Sequence, residues 1–287
     1  MRRCLNGTLL LSLIAFVGCT CSRARVESMI RVNEGVQLAQ KGLHEQAAIK
    51  LEEGVNLDVT NDAALYNLAL VHIELHQPDR AKEDLKRALA IDAEKAAYHD
   101  KLATVHMETG DWDAAKKSLD DALKLDDVAA ETFFKMAQVQ EHLDDPQSAL
   151  ENYTKAIYKD PALLLAYSAL GSLYADLDFH RQATEVLQSG IKVKQFAKEK
   201  IEVVRLHHVL GTVFESQRRY DDAIEQYLMA LKVEPGFQES LFSLGWTYAY
   251  KGESDKAREF LERFVQGAGP EVPAHYIQAA RDRLASL

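Results

Sequence analysis

Small apolar residues recur along the chain at a fixed spacing. One series runs Ala47, Ala81, Ala115, Ala149, Ala183, Ala223 and Ala257, in steps of 34, 34, 34, 34, 40 and 34 residues. A second keeps step with it: Gly35, Ala69, Ala103, Ala137, Gly171, Gly211 and Gly245. A third, Gly54, Ala88, Ala122, Ala156, Gly190 and Ala230, fails only at Phe264. Three series sharing one period and one six-residue slip describe a repeated structural unit. Larger apolar residues fall between them. Tyr174, Phe214 and Tyr248 lie in the first half of their units; Leu51, Leu85, Leu119, Tyr153, Leu187, Tyr227 and Leu261 lie in the second. The sterics are those of two antiparallel helices, which approach closely only where Gly or Ala leaves no side chain in the way. Gly42, Gly110 and Gly252 stand between the halves, where a left-handed residue ends the first helix. Asp160-Pro161 and Glu234-Pro235 stand where the second helix must stop.

A period of 34 with these residue types resembles the tetratricopeptide repeat. The resemblance implies an all-α fold, a right-handed α-solenoid of about seven helical hairpins. Repeats one to five are expected over 28–197, and repeats six and seven over 204–267. The insertion at 198–203 belongs to a stretch without Gly or Pro that retains Phe196, Ile201 and Val204. It reads as the second helix of repeat five running on for one to two extra turns. After Phe264, Gly267-Ala268-Gly269-Pro270 breaks the chain and Pro273 opens a last helix. A C-terminal capping helix over 270–287 would cover the apolar face of the final repeat.

Charge and cysteine usage narrow the chemistry. With 34 Lys+Arg against 44 Asp+Glu, the formal net charge is -10, which repels a phosphate backbone. The longest basic cluster, Lys192, Lys194, Lys198 and Lys200, is diluted by Glu199 and Glu202, so no nucleic acid is expected as a partner. All three cysteines, Cys4, Cys19 and Cys21, lie near the start, so nothing from position 22 onward can form a disulfide or a thiolate site. Arg2 and Arg3 precede an apolar run over 9–17, too short for the roughly 20 residues of a membrane-spanning helix but the right length for a secretory signal. The segment Phe16-Val17-Gly18-Cys19 resembles the lipobox of bacterial lipoproteins, with Phe16 where that family prefers Leu. The resemblance implies a signal peptide over 1–18, a lipid on Cys19 and a tether over 19–27. An ordinary cleaved signal with an incidental cysteine is the other reading. Thr20 after the cysteine points, by resemblance, to the outer membrane, with the repeats facing the periplasm of a bacterial envelope.

In the tetratricopeptide family the first helix of each hairpin lines a concave groove that receives a peptide of a partner protein. Carried onto this register, that surface gives Val36, Tyr66, Leu70, Phe134, His208, Phe242, Trp246 and Tyr250 as candidate groove residues, with Val32 and Ile73 beside them. Phe242, Trp246 and Tyr250 lie four apart on one helix face. Such a stripe serves either as a binding hot spot or as core buried against the last helix. The clamp that some family members use for C-terminal carboxylates is only partly present, because its positions hold Val32, Val36, Asn67, Ala97 and Lys101.

His72 and His76 flank Glu74, one residue too late for the zinc-protease pattern. There is no phosphate-binding glycine loop and no nucleophile paired with a base, so neither metal, cofactor nor catalysis is expected. The expected function is a lipid-anchored scaffold that binds proteins or peptides. Its plan is similar to that of the pilotins that assist assembly of the type IV pilus secretin. An adaptor docking cell-wall enzymes is the alternative. An enzyme built on the repeats is a reading of another class, and no segment outside them is long enough for a catalytic domain.

Overall fold

The computed structural model describes the backbone of residues 8–126 and 129–287, and their side chains from residue 23 onward. The described residues form fifteen α-helices and one 3-10 turn, without strands. The chain divides into two units, 1–128 and 129–287. The first unit holds α1 (Thr8–Gln40), α2 (His44–Leu57), α3 (Asp62–Glu74), α4 (Pro78–Ile91), α5 (Ala96–Glu108) and α6 (Trp112–Leu125). The second holds α7 (Ala130–His142), α8 (Pro146–Lys159), α9 (Leu164–Asp176), α10 (His180–Lys192), α11 (Lys200–Ser216), α12 (Tyr220–Val233), α13 (Gln238–Tyr250), α14 (Ser254–Gly267) and α15 (Ala274–Ser286). Odd and even helices pair as hairpins up to α13 and α14, and α15 packs on α14 as the expected terminal helix. Helix α1 carries the first half of repeat one. The proposed signal segment and Cys19 fall on residues whose structure or side chains lie outside those described.

The small-residue register is the seam of the hairpins. Ala47, Ala81, Ala115, Ala149, Ala183, Ala223 and Ala257 are all completely buried. Each first helix ends in the same way. The residue fifteenth in its repeat adopts a left-handed conformation at all seven hairpin turns. Gly42, Gly110 and Gly252 do so with φ of 74°, 73° and 76°, and His76, Asp144, Asp178 and Arg218 with φ of 55°, 57°, 61° and 58°. The next amide then bonds back to a carbonyl five residues earlier, as in Gln77 to His72 at 2.8 Å and Arg219 to Phe214 at 2.9 Å. A side chain in this conformation costs about 1–2 kcal/mol, partly offset by the extra unfolded-state entropy of glycine. Arg218→Gly is therefore expected to stabilise the protein by about 1 kcal/mol, read as a shift in denaturant midpoint without change of slope.

Five of the seven second helices stop on an acidic residue in extended conformation, and α10 and α14 stop on Val193 and Ala268. Asp58, Asp92 and Asp160 turn their carboxylates onto the backbone amide two residues on, at 3.1, 3.0 and 2.9 Å. Helix starts are capped by Asn61, Asp111 and Asp145, and Pro78 and Pro146 open α4 and α8 where an amide would have no partner.

The insertion differs from the sequence expectation. Helix α10 ends at Lys192, near where every other second helix ends, and does not run on. The extra residues form a 3-10 turn at Lys194–Phe196, an extended Ala197 and an added turn at the start of α11, which has 17 residues against 13 in α9 and α13. Packing overrides local propensity here. At Gly190, a Cβ would stand 2.8 Å from both Leu206 Cδ2 and Tyr167 Cβ, so α9 and α11 close directly over this point. A continued α10 would carry the chain away before Leu206 could return. Buried Glu202 secures the turn by accepting the backbone amide of Lys198 at 2.9 Å. One apolar core runs through the slip from Leu164 to Ala280, so the insertion does not divide the stack after repeat five. The boundary between the two units falls between the third and fourth repeats.

Candidate functional site

Each unit carries a hollow lined in part by its first helices. In the first unit, Val36 of α1 and Leu70 and Ile73 of α3 form the wall of a cavity of about 480 Å3. Asn67 and Lys101 line the same hollow, so the two clamp-type residues identified in the sequence do come together, without the remainder of the set. Tyr66 lies deeper. It stacks on Tyr98 with centroids 4.6 Å apart, and the Tyr98 hydroxyl donates to Asp62 at 2.8 Å. Burial pushes the Tyr66 phenol up from its ordinary value. Val32 is core, packed over Gly54.

In the second unit, Phe134 packs on Tyr153 at 5.5 Å, inside the α7–α9 core. His208, Phe237, Phe242 and Tyr276 line a cavity of about 650 Å3. Tyr276 lies on α15 one period after Phe242, 276 − 242 = 34, so the last helix continues the register of the first helices. The ring of Tyr276 meets Phe242 at 5.3 Å.

The aromatic stripe of α13 has three different environments. Phe242 stands at the lip of this cavity against Phe264 and Tyr276. Trp246 is half-buried between Phe242 and Tyr250, with the Arg283 guanidinium of α15 5.4 Å above its ring. Its indole N–H is buried without an acceptor. Tyr250 is 59% exposed and stacks on Tyr220. The sequence spacing placed these residues on one face, but the cap covers only part of that face.

His208 is held by a bond between its Nδ1 and Ser240 Oγ at 3.1 Å and by the rings of Tyr227 and Phe237. Burial pushes its pKa down from 6.5 to about 4. Its neighbour His207, bonded to Gln226, is pushed down by burial as well. Between pH 6.5 and 4 the unfolded imidazole takes up a proton that the folded one refuses, so stability falls with pH across that window. The loss from His208 amounts to at most about 3 kcal/mol. Urea unfolding from pH 7 to pH 4.5 should show this slope, and His208→Gln should flatten much of it, leaving the parts carried by His207 and by His106, whose imidazole burial also pushes down.

Residues twelve apart in sequence face each other across a hairpin. Tyr153 donates its hydroxyl to Glu141, and Tyr227 donates to Glu215 at 2.6 Å. Tyrosine occupies this place in the second helix only in repeats four and six, and those two repeats alone have Glu at the matching place in the first helix. Burial, with the facing carboxylate, pushes both phenols far up. Asn152 donates to Gln140 at 2.9 Å, and Tyr248 stacks on Phe260. The same offset pairs buried His72 with Asp84 at 2.8 Å, whereas His76 is a turn residue, so the two histidines do not share a site. Among the described residues no helix is long and apolar enough to cross a membrane.

Family models described as tetratricopeptide repeat match residues 72–131 and 208–273. A curated human protein, antiviral innate immune response effector IFIT1, is 26% identical over 136 residues, 39% of this chain. The chain spans only 28% of that relative's length. Among solved structures, PilF of Pseudomonas aeruginosa is similar with a TM-score of 0.61 at 20% identity, over 81% of this chain and 99% of that one. YrrB, described as a TPR protein with an unusual peptide-binding site, is similar with a TM-score of 0.54 at 16% identity, over 67% of this chain and 96% of that one. At these identities the likeness is one of fold.

Proposed function

This chain belongs to the tetratricopeptide-repeat proteins, and from that premise we propose that it is a scaffold whose first helices hold segments of partner proteins. The observation that carries the reading is the pair of hollows, one in each unit, to which side chains of those helices contribute. Apolar concavities between helices with a few polar groups at the edge suit an extended or helical peptide. The chemistry is binding, and no catalytic step is assigned to it.

The scaffold is carried on a lipid at Cys19, at the outer membrane and facing the periplasm, where it assists assembly of an envelope complex such as the type IV pilus secretin. Two features support this. The lipobox-like Phe16-Val17-Gly18-Cys19 leads almost directly into the repeats. The fold is shared with PilF along nearly the whole of that chain. Docking of cell-wall enzymes is the rival role for the same surface.

Metabolic labelling with an alkyne fatty acid tests the anchor. Cys19→Ser should abolish the label and release the protein from membranes, and label retained in that variant overturns the anchor. Crosslinking the detergent-solubilised protein in cells tests the partner. A secretin captured by the parent, and lost on Leu70→Ala or Phe242→Ala, supports the assembly role. Peptidoglycan hydrolases captured with the same dependence support the adaptor, and capture indifferent to both substitutions overturns the groove.

A further inference from the structure

The hollow of the second unit is aromatic inside and acidic at its edge. Phe237, Phe242, Tyr276 and His208 give it its aromatic character, Glu234, Glu239 and Glu271 are its charged residues, and no lysine or arginine takes part in the lining. The Oε1 of Gln238, also at this hollow, is buried without a donor. None of the three carboxylates has a cationic partner among the described residues, although the surface elsewhere is rich in pairs such as Arg219–Asp222 and Lys251–Glu253.

Local structure accounts for only part of this acidity. Glu239 lies in the first turn of α13, where a negative charge suits the helix end. Glu234 does not fit such an account, because it stands at the C-terminal end of α12, where negative charge is unfavourable. At the corresponding position Asp58, Asp92 and Asp160 use their carboxylates to close the turn. The longer Glu234 makes no such bond and is left free. A divalent ion is the wrong occupant, because among the described residues no three His, Cys, Asp or Glu side chains converge as a metal would require. The volume of about 650 Å3 falls within the roughly 300–1,000 Å3 of sites that hold organic ligands.

We infer that this hollow is a pocket for an arginine side chain of the partner segment held by the second unit. A guanidinium lies flat on aromatic faces and donates in several directions at once, and the hollow offers it acceptors in three carboxylates and the unpaired amide oxygen of Gln238. The inference rests on the proposed scaffold role and adds the chemistry of the partner.

The test uses the intact chain and a blocked Gly/Ser heptapeptide with one central arginine, followed by NMR. Arginine peptide should shift the amides of 236–243 and 271–276 saturably. The same peptide with citrulline, equal in shape and uncharged, should bind at least tenfold more weakly. Glu234→Gln combined with Glu271→Gln, both at exposed positions, should weaken the arginine peptide by a similar factor and flatten its salt dependence. Equal binding of citrulline, shifts elsewhere, or indifference to the double substitution overturns the inference. Should the arginine peptide fail while Phe242→Ala still abolishes partner capture, the scaffold role stands and the arginine pocket falls. Should the peptide bind here while no groove substitution affects capture, the pocket stands and the scaffold role falls.

Discussion

Trp246→Ala is expected to lower the stability of the second unit by about 3 kcal/mol, a core-sized loss at a residue that sequence alone would equally place in a groove. The indole is flanked by Phe242 and Tyr250, with centroids at 5.8 and 6.1 Å, and covered by Arg283 of α15. Removing it leaves a cavity beneath the terminal helix and releases the guanidinium that closes it. Thermal unfolding should show the change, at roughly 2–4 °C per kcal/mol for a unit of this size. Trp246→Phe separates packing from polarity. It keeps most of the apolar contact and deletes an indole N–H that has no acceptor, so it should cost about 1 kcal/mol or less. Equal losses for both substitutions would show that the indole N–H has a partner. No loss for either would return Trp246 to the groove.

The hairpins were legible because each repeat buries the same small residues at the same places, so the period survives wide variation elsewhere. Turn chemistry was legible only in part. Gly42, Gly110 and Gly252 announce a left-handed residue, whereas His76, Asp144, Asp178 and Arg218 reveal it only through the register. The insertion misled because its composition favours helix, while the return of Leu206 over Gly190 is a contact between distant residues that no local window contains. Helical spacing put Phe242, Trp246 and Tyr250 on one face but could not say what covers each. The continuation of the register to Tyr276 was present in the numbering and would have placed α15 over part of that face. The same holds for Glu141 with Tyr153 and Glu215 with Tyr227, whose joint appearance in two repeats of seven marks a contact twelve residues apart. The pocket edge was not legible. Glu234, Glu239 and Glu271 look like ordinary surface charge until the loops before α13 and α15 bring them to one hollow.

The seam between α11 and α12 gives the second large effect. A Cβ on Gly211 would stand 2.5 Å from Tyr227 Cε1 and 2.6 Å from its Cδ1, and Tyr227 is completely buried and tied to Glu215. The phenol ring therefore cannot swing away without losing its bond. Alanine and leucine should nevertheless behave very differently here. Repeat four already sets Ala137 opposite Tyr153, so a single methyl is accommodated by a small shift of the helices. Alanine also gains about 1 kcal/mol of helix propensity over glycine, which offsets most of the crowding. Gly211→Ala should thus change stability by less than about 1 kcal/mol. Leucine gains the same propensity but adds three further carbons to a seam with no space for them, so Gly211→Leu should cost about 3 kcal/mol or more. Because each hairpin leans on its neighbours, hydrogen exchange should lose protection first in α11 and α12 and then in the helices that pack on them. A leucine variant as stable as the alanine one would mean that these helices are not held at the separation the small-residue register requires.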